Sequence, residues 1–139
     1  MKTYVVGIDG SETAAVAAAR AGELAAASGG SIHVVCAYSG RGAATIDVGG
    51  DSYLVSSLTT AEQISEQQAL AYRTQGIEAT AAALDEKPAS ALLTEADRLQ
   101  ADVIVVGNRR MQGVGRLLGS VANEVAHNAS CDVYIVKTV

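Results

Sequence analysis

The chain has 139 residues, a formal net charge of −5 and a pI near 4.9, with 49% hydrophobic residues, 18% charged residues and a single Pro. That balance favours one compact domain over disorder, and an acidic chain without a broad basic face is a poor partner for nucleic-acid phosphates. No apolar run approaches the length of a membrane span and no signal-peptide pattern follows Lys2, so a cytoplasmic location with no membrane partner is expected.

Phe and Trp are absent, which leaves Val, Ile, Leu and Ala to fill the core. Ala-rich helices packed closely on a Val/Ile sheet meet that requirement. The first strand is expected over 3–9, apolar and β-branched until it meets Asp9. Gly10 and Ser11 make the turn, and Ser11 caps a helix running to about Ser28, with Gly29 and Gly30 as its stop. Asp9 at a strand's carboxyl end has two readings, a turn-forming residue or a ligand contact. The second strand is expected over 32–37.

From 38 to 57 the residues turn polar and glycine-rich, which reads as a long loop: a flap over a site, or a disordered segment. A helix over about 59–75 follows, with Ile64, Leu70 and Ala71 on its inner face. The weakest strand signal is 77–84, because Ala is a poor strand former. Lys87 and Pro88 open a helix to about Gln100, where Pro suits the first turn. A buried strand over 103–106, a helix over 121–127 and a last strand over 132–137 complete the chain. Strands alternating with helical spacers specify a parallel, doubly wound α/β sheet with helices on both faces. Ligands of such sheets bind beyond the carboxyl ends of the strands.

The stretch after the fourth helix-connected strand carries the strongest functional signal. Gly107, Asn108, Arg109 and Arg110 are followed by Gly113, Gly115, Arg116 and Gly119, and Ser120 stands where helical periodicity begins. A strand, a glycine-rich basic loop and a helix N-terminus form an anion site, because glycine permits close approach and the free N–H groups carry partial positive charge. The alternative is a plain glycine-rich connection with Ser120 as helix cap. Three arginines in one loop of an acidic chain favour the anion. Gly119 meets Ser120 with no intervening Lys, which argues against a Walker-type NTPase, and the Gly113–Gly119 spacing is one residue too long for the dinucleotide fingerprint. Cys36, Cys131, His33 and His127 lack metal-ligand spacing and read as packing or surface residues.

These residues resemble the universal stress protein family along essentially the whole chain. The likeness rests on VGIDGSETA at 6–14 and VVGNRRMQGVGRLLGSV at 105–121, with the Lys87-Pro88-Ala89 helix start and the Val133-Tyr134-Ile135-Val136 ending. ATP-binding members carry a Gly, a second Gly three residues on, nine residues and then Gly-Ser/Thr. Here Gly107 and Gly119-Ser120 match, Arg110 replaces the second Gly, and the segment is one residue shorter.

The resemblance implies a five-stranded sheet of order 3-2-1-4-5, a homodimer and a bound adenine nucleotide, and the edge position of the apolar strand 132–137 puts the dimer contact at the C-terminal strand. ATP is expected, AMP or cyclic AMP are the alternatives, and Mg is left open. Carried over by position, Asp9 lies beside adenine and ribose, the Ala37 backbone addresses adenine, and Gly107, Asn108, Gly119, Ser120 and Val121 surround the ribose and phosphates. Gly7, Ser11, Arg109 and Arg110 are further nucleotide-binding candidates. With that strand order Cys36 and Cys131 stand roughly 14 Å apart, too far for a disulfide. No general base beside an activated nucleophile is evident, so a stress or signalling protein without turnover is expected. The alternative is a member that has lost nucleotide binding and acts as a dimeric interaction module.

Overall fold

The computed structural model describes residues 1–38, 43–48, 51–108 and 118–138, with 43–48 and 51–56 described as backbone. Its main sheet joins β1 (Thr3–Gly7), β2 (Ser31–Ala37), β5 (Ala79–Leu84), β6 (Val103–Asn108) and β7 (Asp132–Lys137). The spatial order is β5-β2-β1-β6-β7, and every neighbouring pair is parallel. Counting only these strands, this is the expected 3-2-1-4-5 arrangement. The helices are α1 (Glu12–Ser28), α2 (Ser57–Thr74), α3 (Pro88–Leu99) and α4 (Ser120–Asn128).

Apart from His33 of β2, the inner residues of the central strands are apolar because both faces are covered. Val6, Val34 and Val105 pack toward α1 and α2, against Ala17, Ala18, Ala21, Ala69 and Tyr72. Val5, Val35, Ile104 and Val106 pack the other way, against Ala91, Leu92 and Ala96 of α3 and Ala122 and Val125 of α4. Small side chains bring the helices close. Gly22 of α1 admits the Tyr72 ring, since a Cβ there would stand 3.2 Å from it. The Tyr72 hydroxyl then donates to the Ala18 carbonyl at 2.6 Å, bolting α2 to α1, and burial pushes its pKa well up.

Three expectations are corrected. The long polar loop at 38–57 contains an antiparallel hairpin, β3 (Ala43–Val48) paired with β4 (Asp51–Ser56) from Ala43↔Ser56 to Val48↔Asp51. Thr45, Ile46, Val48, Tyr53 and Val55 are strong strand formers, and they outweigh the polar residues among them. The inner face of α2 consists of Ala61, Ser65, Ala69 and Tyr72; Ile64 is partly buried, Ala71 is exposed and Leu70 is 56% exposed. The i, i+4, i+8, i+11 spacing of the smaller residues sets that face, and Leu70 falls outside it. Third, Ser120 is the first residue of α4, and Gly119 occupies the cap position without any side-chain cap bond.

His33 lies beneath α3 in a network that sequence spacing did not reveal. Its Nε2–H donates to Glu95 Oε1 at 2.9 Å, its Nδ1 pairs with Thr80 Oγ1 at 2.6 Å, and Arg98 grips Glu95 through Nε and Nη2 at 2.6 and 3.0 Å. Both His33 and Glu95 are buried. Hydrogen bonding from Arg98, and secondarily from His33, holds the Glu95 carboxyl below the usual range against the opposing effect of burial. A depressed folded-state pKa stabilises the fold above the unfolded carboxylate range, and that contribution is lost as pH falls through the folded pKa. Glu95→Gln is therefore expected to cost about 1–2 kcal/mol at neutral pH and to flatten the decline of stability below about pH 4.5. Urea unfolding at stepped pH checks both, and an unchanged acid limb would contradict the assignment.

Candidate functional site

β1 and β6 pair from Tyr4↔Val103 to Val6↔Val105 and then diverge, and a cavity of about 380 Å³ opens where the pairing stops. Chain reversal causes the divergence. After β1 the chain enters α1 on one face of the sheet, and the helix that follows β6, α4, packs on the other.

From the first segment Gly7, Asp9 and Ser11 line the cavity, and from β2 Ala37 does. Gly107 and Asn108 line it from β6, and Gly119, Ser120 and Val121 from the start of α4. Arg109 and Arg110, together with Arg116, Gly113 and Gly115, lie outside the described residues. Sequence reasoning missed the apolar wall, Ile8, Val35, Leu92 and Val106, with Pro88 at the head of α3. Val35 and Val106 were legible as strand residues, but nothing local marked which strand ends face the gap.

Asp9 forms the turn that one of its two sequence readings expects, and it lines the cavity. Its Oδ1 accepts the Ser11 N–H at 2.9 Å across a turn in which Gly10 has φ +84°, a conformation suited to glycine. It is exposed and is the only carboxylate among the described cavity residues. Ser11 in turn caps α1, its hydroxyl accepting from the Ala14 N–H at 3.2 Å. The two residues fix the loop's shape at the cavity rim.

The glycines have distinct physical reasons. A Cβ on Gly107 would stand 2.9 Å from the Thr138 methyl and 3.4 Å from both Ala17 Cβ and the Thr13 carbonyl, so this glycine lets α1 close on the end of β6. A Cβ on Gly7 would press on Leu92 at 3.2 Å. Gly119 has an ordinary φ of −64°, but a Cβ there would meet Asn108 Oδ1 at 3.1 Å. Asn108 is buried, and its Oδ1 accepts the Gly119 N–H at 2.8 Å. The Gly119 N–H is thereby committed within the protein. The donors at the head of α4 begin with Ser120.

Cys36 and Cys131 are both free, on β2 and just before β7, with β1 and β6 between those strands. Burial raises both thiol pKa values. Neither lines the cavity.

The sequence matches the model of the universal stress protein family over residues 1–137, and the chain belongs to that family. A universal stress protein of Mycobacterium tuberculosis is 35% identical, over 99% of this chain and 97% of its own length. Among solved structures, a universal stress protein in complex with cAMP is 31% identical with a TM-score of 0.76, covering 99% of this chain and 98% of that one. The universal stress protein of Archaeoglobus fulgidus in complex with dAMP is 25% identical with a TM-score of 0.71, covering 99% and 98%.

Valine at position 119 would drive a branched side chain toward Asn108 and into the cavity mouth. Gly119→Val is expected to leave the fold intact, at a cost of about 1–2 kcal/mol for local overpacking, while weakening binding of an anionic ligand at least tenfold. Calorimetry on a variant shown to be folded by circular dichroism checks this, and unchanged affinity would count against the site.

Proposed function

We propose that this protein binds an adenine nucleotide in the cavity between β1, β2, β6 and the head of α4, and that it acts as a dimeric stress or signalling protein without catalytic turnover. The observation that carries the reading is convergence: residues near 9, 37, 107 and 120 in the sequence line one cavity of about 380 Å³. Relatives solved with cAMP and dAMP support the ligand class. The apolar wall of Val35, Leu92 and Val106 suits the faces of a purine. Asp9 suits ribose hydroxyls, which donate to a carboxylate, and the Ala37 backbone at the cavity wall suits the hydrogen-bonding edge of adenine. The N-terminus of α4 suits the phosphate nearest the ribose.

The reading without turnover is supported by Asp9, the one carboxylate among the described cavity residues, which already accepts the Ser11 N–H. A cytoplasmic site of action and the single nucleotide-binding domain 1–139 belong to the same reading; among the described residues no helix is long and apolar enough to cross a membrane.

The number of phosphates rests on two opposing considerations. Three arginines in the 109–116 loop suit the several charges of ATP, whereas cAMP and dAMP each carry one phosphate. Mass spectrometry of nucleotide released from purified protein, followed by titration of ATP, AMP and cyclic AMP into stripped protein, tests the reading. Binding of at least one at micromolar affinity is expected. ATP preference with Arg110→Ala costing ATP more than AMP assigns the loop arginines to outer phosphates. Absence of binding by all three would overturn the proposal and leave an interaction module.

The dimer is proposed at β7, which ends the sheet and presents an unshared edge among the described strands. Tyr134 is 36% exposed there, with its hydroxyl accepting from Arg20 Nη1 at 3.0 Å, and Val16 of α1 is 43% exposed. Val136 shares that face of β7 with Tyr134 but is buried within the protomer, in the cluster that α1 covers. Tyr134→Glu is expected to convert a dimer to a monomer in light scattering at micromolar concentration; a monomeric unmodified protein would refute the edge contact.

A further inference from the structure

We infer that Asn108 is a positioning residue, which sets where the phosphate-facing helix begins and does not itself contact the phosphate. The inference rests on the adenine-nucleotide reading above and deepens it. Asn108 is the last residue of β6, is 2% exposed, and points its Oδ1 at the Gly119 N–H, 2.8 Å away. Gly119 is the cap residue of α4 and makes no side-chain cap bond.

In an ordinary helix start the cap side chain accepts an N–H two or three residues ahead of it. Here a side chain from the neighbouring strand accepts the N–H of the cap residue itself. The consequence is geometric. Residues 108 and 119 are joined directly, so the ends of the intervening segment are held together whatever that segment does. The joint fixes the head of α4 against the sheet.

The backbone on either side reinforces the joint. The Asn123 N–H donates to the Gly119 carbonyl at 2.9 Å, so Gly119 already belongs to the first helical turn. The Thr138 N–H approaches the Asn108 carbonyl at 3.4 Å, so the same asparagine also meets the end of β7. Glycine at 119 is needed because a Cβ would stand 3.1 Å from Oδ1. With the Gly119 N–H taken, the donors remaining to a phosphate come from Ser120 onward, since the first N–H groups of a helix lack intrahelical partners. Asn108 thus chooses which amides serve the ligand.

Amide hydrogen exchange on the unmodified, nucleotide-free protein tests the joint without reference to any ligand. The Gly119 N–H is expected to exchange slowly and the Ser120 N–H fast; a Gly119 amide exchanging at the exposed-loop rate overturns the inference. In Asn108→Ala the Gly119 amide loses protection, and the ratio of AMP to adenosine affinity falls about tenfold, the loss of roughly one hydrogen bond's worth of phosphate binding. An unchanged ratio in the folded variant overturns it as well. Asn108→Asp keeps an oxygen acceptor and is expected to restore slow exchange at Gly119, and a folded Asp variant without that protection contradicts the role. A protein that binds no AMP defeats the nucleotide reading, while the exchange data still decide the joint.

Discussion

The site depends on the place where β1 and β6 stop pairing. Three residue pairs hold the two central strands together, ending at Val6↔Val105, and the chain then departs in opposite directions, to α1 on one face and toward α4 on the other. Right-handed crossovers make that reversal unavoidable once the strand order is set. An open cleft with a helix N-terminus at its side results from topology alone, before any side chain is chosen. The residues then specialise it: apolar on β2, β6 and α3, carboxylate and hydroxyl at the α1 turn, and backbone donors at the head of α4.

A second constraint comes from the absence of Phe and Trp, which leaves Tyr as the one aromatic type. With Phe and Trp missing, the core is closed by approach and not by bulk. Gly107 brings α1 against the end of β6, Gly7 admits Leu92, and Gly22 admits Tyr72. Two of these glycines border the cavity. A glycine that a motif search credits to ligand binding can therefore be required first by helix–sheet packing. For Gly107 the surroundings are Thr138, Ala17 and Thr13, all of the protein itself.

The alternation of apolar strands and helical spacers made the α/β sheet legible in the sequence, while its strand order came through the family likeness. Caps and stops were legible because they are local: Ser11 caps α1, Gly29 at φ +69° ends it, and Pro88 opens α3. The hairpin at 43–56 was hidden because polar residues and paired glycines gave a loop composition, although β-branched residues on either side of Gly49-Gly50 were a strand signal. The cavity residues near 9, 37, 107 and 120 were found because motif and topology agree on strand ends. The wall of Val35 and Leu92, the His33–Glu95–Arg98 network and the Asn108–Gly119 joint were not, since each joins residues far apart in sequence and leaves no periodic trace.

The central claim is that one nucleotide sits among segments that the sheet reversal brings together. Chemical-shift mapping of the isotope-labelled protein during titration with AMP tests it most directly. The account predicts that the amides of 7–11, 37, 107–108 and 119–122 shift together along a single saturation curve, while β5 and α2 stay unmoved. Saturable shifts centred on the groove between α2 and β5, lined by Leu58, Glu62 and Ala81, or no shifts at millimolar AMP, would contradict it.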